Sequence, residues 1–151
     1  MPARSHWGMT PQQSVQLECA RRGTAQVVAG CVGLLAGGDA DYGLVYAIGG
    51  PAADPVLGPH PRRDQRYFLR VWGARALLYA WDDGAPEVAA AALIAALGDE
   101  SWRVREMAAK VVARRQLGDA LNAVAGLSSD PVPRVRAAAG RATAILTAAR
   151  A

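Results

Sequence analysis

From Thr10 onward the chain alternates apolar stretches with short polar or glycine-rich breaks, and within each stretch the apolar residues recur every three to four positions. That period is helical, because residues i, i+3, i+4 and i+7 share one face of a 3.6-residue turn. The segment DQRYFLRVWGARALLYAWDD carries it most plainly, with positions 69, 72, 73, 76, 77 and 80 on one side. Thr10-Pro11 marks the start of a first helix, Arg22-Gly23-Thr24 the break before a second, and Gly37-Gly38-Asp39 its end. A short helix follows over about 40–48. Residues 49–64, GGPAADPVLGPHPRRD, hold four prolines and three glycines and read as one long connection. Beyond the helix over 64–80, Asp82-Asp83-Gly84 is a break, Pro86 opens a helix and Gly98 stops it. Ser101 caps the next helix, and Gly118 is expected to end it in the left-handed C-terminal position. Residues 119–127 form another, and Pro133 opens the last. The expectation is an all-α fold of eight helices in four antiparallel hairpins, about 11–37, 39–82, 86–117 and 119–149, forming one domain over 11–151 behind a flexible stretch at 1–10.

The later helices repeat. Asp64, Asp99 and Asp130 each stand six residues before an arginine, at Arg70, Arg105 and Arg136, and the same frame aligns Arg75, Lys110 and Arg141. The two clearest copies, DESWRVREMAAKVVA and DPVPRVRAAAGRATA, place an aspartate in the turn and an arginine early in the second helix of a hairpin. In this the chain resembles the HEAT-repeat family of α-solenoids, armadillo-type stacks of helical hairpins, over about residues 64–149. The resemblance implies a right-handed curved stack whose second helices line the concave side. It also implies that Asp64, Asp99 and Asp130 pair with Arg70, Arg105 and Arg136 in a structural ladder. An arginine fork that satisfies a turn carboxylate is a sound reason for such spacing.

Charge changes the picture for the residues outside that ladder. At about 100° per residue, Val104, Met107, Ala108 and Val111 share one face of their helix, while Arg103, Lys110 and Arg114 lie within about 40° of one another on another side. The equivalent stripe holds Arg134 and Arg141 on the last helix, and Phe68, Arg75 and Tyr79 on the helix over 64–80. Second helices are thus basic, and first helices and turns acidic or neutral. One reading is a solvated face that keeps an alanine-rich stack soluble. The other is a contact surface for an acidic protein or peptide, with a nucleic-acid backbone as the competing ligand.

The chain has 151 residues and a net charge of +4, and it is 52% hydrophobic but only 6% aromatic, which fits close-packed helices better than a sheet sandwich. Its basic residues are arginines apart from Lys110, a bias that a GC-rich bacterial genome also writes. Cys19 and Cys31 have no CxxC or Cys/His spacing, which predicts free thiols in a reducing cytoplasm. His6 and His60, the only histidines, have no metal-ligand spacing, and His60 sits in the proline-rich connection as a candidate gate. No nucleotide-binding glycine motif or nucleophile elbow is found, so neither cofactor nor metal is expected. No stretch is apolar for long enough to span a bilayer. Tyr67, Trp72, Trp81 and Trp102 are the candidates for an aromatic patch, with Trp72 assigned to the core. Trp81-Asp82-Asp83 matters because the DNA alkyl-base glycosylases among HEAT-like proteins use a concave aspartate among aromatics. The function these residues point to is a non-catalytic binding or scaffold module, the alternative being a nucleic-acid-binding protein related to those glycosylases.

Overall fold

A computed structural model describes residues 8–39, 41–59 and 61–150; His6 and His60 lie outside them. Nine α-helices are formed among these residues: α1 (Pro11–Arg22), α2 (Thr24–Leu35), α3 (Tyr42–Gly49), α4 (Asp54–Leu57), α5 (Tyr67–Ala76), α6 (Pro86–Ala96), α7 (Trp102–Arg115), α8 (Leu121–Gly126) and α9 (Pro133–Arg150). No strand occurs among the described residues.

The ends of the helices follow from local chemistry. Thr10 and Gln13 form a reciprocal capping box at the start of α1, where Pro11 needs no hydrogen-bond acceptor. Asp41 accepts from the Leu44 N–H at 3.0 Å and starts α3. The turn after Trp81 is closed by the Gly84 N–H on Asp82.

Three expectations need correction. Residues 49–64 are not a bare connection: they form 3₁₀ turns at Gly50–Ala53 and Arg63–Gln65 with α4 between, and they bury Ala53 and Val56. The left-handed residue that ends α7 is Gln116, at φ 51°, and Gly118 instead begins a 3₁₀ turn. Ser101 stands at the start of α7, but its side chain makes no capping bond; its own N–H donates to Asp99 at 2.8 Å.

Packing then sorts the helices. α2 lies on α5, α5 on α7 and α7 on α9, while α1, α6 and α8 pack against α2, α7 and α9 respectively. α3 bridges α1 and α5. The apolar period read over 69–80 is the buried side of α5 and its extension: Leu69, Trp72, Gly73, Ala76, Leu77 and Ala80 are all buried. Val104, Ala108, Val111 and Val112 of α7 meet a neighbour that buries Val135, Ala138, Ala139, Ala142 and Leu146. Alanine at so many contacts lets the helix axes approach, and each buried leucine or valine adds about 1.5–3 kcal/mol of apolar burial. At Gly73 the approach brings backbone close, since a Cβ there would stand 2.9 Å from the Cys31 carbonyl oxygen on α2.

Candidate functional site

The aspartate and arginine frame is occupied by internal bonds, and these run forward from one repeat to the next. Arg70 grips Asp99 with Nε at 2.8 Å and Nη2 at 3.1 Å, and Arg105 grips Asp130 at 2.8 and 3.2 Å. Each guanidinium presents two parallel N–H groups to one carboxylate, the geometry in which arginine binds most specifically. Arg105 also donates to the carbonyls of Asp99 and Glu100, and Arg136 to that of Asp130, so each arginine closes the turn behind it. The same two carboxylates accept the N–H groups of Ser101 and Val132. The hydrogen bond from Arg105 holds the buried Asp130 carboxyl below the usual range, against the upward push of burial. Asp64 does not pair with Arg70: it is exposed, 3.5 Å from Arg62.

Arg75 and Tyr79 also leave the anticipated stripe. Arg75 is turned inward and donates through Nη2 to the Ile48 carbonyl at the end of α3, 2.7 Å away. Tyr79 is half-buried against the core. Arg115, which no spacing pointed to, makes a similar bond, donating to the carbonyls of Leu77 and Leu78 at 2.9 and 3.1 Å with its guanidinium over Trp81. Both cap a preceding element's free carbonyls, which a cation near a helix C-terminus does well.

Arg103, Lys110 and Arg134 do come together. They line a shallow pocket of about 180 Å³ across α5, α7 and α9, floored by Val71, Trp102 and Met107. At its centre is Glu106, 6% exposed, whose Oε1 takes Lys110 at 2.8 Å and Arg134 at 2.9 Å. Burial pushes the Glu106 carboxyl up, but the two cations outweigh it and hold the group below the usual range. Glu106 stands four residues before Lys110, and that spacing on one helix face was its available signal. Trp102 has guanidinium groups near its ring from two helices, Arg103 at 4.5 Å and Arg134 at 5.3 Å, and Arg103 also lies 5.4 Å from the Tyr67 ring. Tyr67, Phe68 and Trp72 form a continuous aromatic contact, and Trp72 is buried. Arg114 and Arg141 are exposed and make no ion pair among the described residues.

A family described as HEAT repeats matches residues 55–144. The chain belongs to the HEAT-repeat family. No curated protein and no solved structure matches it. HEAT repeats are generally scaffolds for protein interaction, and the family is generally non-catalytic. Among the described residues of this HEAT-repeat chain, no helix is long and apolar enough to cross a membrane.

Proposed function

We propose that this HEAT-repeat protein is a non-catalytic scaffold that binds an acidic protein segment along its second helices. In this reading the four hairpins stack as a right-handed solenoid, and α5, α7 and α9 form its binding wall. The observation that carries the proposal is the convergence of Arg103, Lys110 and Arg134 on one pocket spanning three helices, with Glu106 the one carboxylate among its described lining residues. Lys110 and Arg134 are partly neutralised there, so capture falls chiefly to Arg103 and to the exposed Arg114 and Arg141. A groove with apolar floor and basic rim suits an extended chain whose carboxylates are spaced along it. Duplex DNA needs a denser row of cations than these three, and of the acidic pair Asp82-Asp83 that a glycosylase reading would use, Asp82 accepts the Gly84 N–H in a turn.

The test is anisotropy of a labelled oligoglutamate peptide, with a labelled DNA duplex in parallel. The wild-type chain is expected to bind the peptide, and the triple variant Arg103→Glu, Arg114→Glu, Arg141→Glu to lose about tenfold or more in affinity with an unchanged melting temperature. Equal binding by the variant, or no peptide binding at low salt, contradicts the proposal. Tighter binding of the duplex with a steep salt slope would favour the nucleic-acid reading instead.

A further inference from the structure

Among the described residues, every other half-buried arginine has its charge answered more fully than Arg75. Arg70 and Arg105 hold carboxylates. Arg115 has two carbonyls, the Trp81 ring and the field of Asp83. Arg75 has one carbonyl, that of Ile48, and no carboxylate within ion-pair distance among the described residues. Burial drives its pKa down, opposed only by the nearby Tyr79. A half-buried guanidinium with no counter-charge is an unfavourable arrangement unless an anion completes it.

Space for one is present. Arg75 lines a cavity of about 160 Å³ together with Ser14 of α1, Ile48 and Gly49 of α3, and Gly50. Gly50 holds φ +60°, a conformation open to glycine, and a side chain there would have nothing within 4 Å, so the wall is bare backbone at that point, beside Met9, Pro11 and Pro51. The guanidinium has five N–H donors arranged on two forked edges. The Ile48 carbonyl takes one hydrogen of Nη2, which leaves uncommitted the one complete edge that includes the other Nη2 hydrogen. A cavity of this size is worth about five waters, well under the roughly 300 Å³ at which pockets for whole drug-sized ligands begin. It suits a single planar anionic group on a short stem, and a forked guanidinium edge matches the two oxygens of a carboxylate.

We propose that the Arg75 cavity binds a short carboxylate, offered either by a free small acid or by the C-terminus of a polypeptide. The site is separate from the Arg103 pocket and does not depend on the acidic-segment reading. Its test is to follow the Arg75 Nε–H resonance of the wild-type chain during titration with propionate, with propionamide, and with a tripeptide bearing a free or an amidated C-terminus. A saturable shift with propionate supports a free acid, and one confined to the tripeptide with the free carboxylate supports a polypeptide end. Arg75→Gln is expected to bind the successful carboxylate about tenfold or more weakly, read as loss of the ligand-induced rise in melting temperature. Because that variant also strands the Ile48 carbonyl, the wild-type titration is decisive. No shift with any carboxylate, or an equal shift with the amides, overturns the proposal.

Discussion

At Arg105 one guanidinium meets an aspartate of the next repeat and two carbonyls of its own turn, whereas Arg103, two residues earlier on the same helix, stays exposed beside Trp102. The residues of this ladder were legible from their spacing, but their partners were not. Six residues separate Asp99 from Arg105, yet the carboxylate that Arg105 grips is twenty-five residues further on. Spacing within a repeat cannot say whether an arginine reaches back to the turn of its own hairpin or forward to the turn of the next, and Arg105 does both. Asp64 has no preceding repeat arginine to receive, and it stays in solvent. Asp130 is the sensitive member: its carboxyl is held below the usual value of about 4, so its contribution is complete above that value and is lost as pH falls from there through the lower value it has in the fold. Urea denaturation from pH 7 to pH 2 should show stability falling in the acid limb, and falling less steeply in Asp130→Asn. Parallel curves would contradict the pairing. Asp64→Asn should change stability by no more than about 0.5 kcal/mol at neutral pH.

The helices themselves were legible wherever a long apolar period had room to declare itself, as at Leu69, Trp72, Ala76 and Leu77, all of which are buried. Short elements were harder. In residues 49–64 the prolines stop a long helix from forming, but Pro51 and Pro55 sit in the first turns of a 3₁₀ turn and of α4, where a missing N–H costs nothing. Counting prolines as breakers hid their use as starters. At the end of α7 the rule that glycine takes the left-handed position named Gly118, whereas the helix stops two residues earlier and Gln116 takes it because Leu117 must turn back to bond the Val112 carbonyl. The contact of α2 with α5 rests on Gly73. Gly73→Ala would force a Cβ within 2.9 Å of the Cys31 carbonyl and 3.1 Å of Leu34, and is expected to cost about 1–3 kcal/mol despite alanine's better helix propensity. A more stable Gly73→Ala protein in thermal melts would show that the two helices are not in contact there.

Across the whole molecule, the arginines divide into those consumed by the fold and those available to a partner. Arg70, Arg105 and Arg115 are tied to neighbouring repeats, and Arg75 belongs to both kinds, with one Nη2 bond to the end of α3 and its other donors open. Arg103, Arg114 and Arg141 remain at the surface. The stripe anticipated along α5, α7 and α9 mixed the two kinds, because a helical wheel assigns direction from a single helix and cannot see where the next one ends. Glu106 was missed for a related reason: one acid among many bases looks like background until Lys110 and Arg134 are found closing on it from two helices. The division is tested most directly by urea denaturation of Arg105→Ala beside Arg141→Ala at neutral pH. Loss of the Arg105 fork strands the buried Asp130 carboxylate and should lower the unfolding free energy by about 1–3 kcal/mol, while Arg141→Ala should stay within about 0.5 kcal/mol of the wild type. Equal losses in the two variants, or a neutral Arg105→Ala, would contradict it.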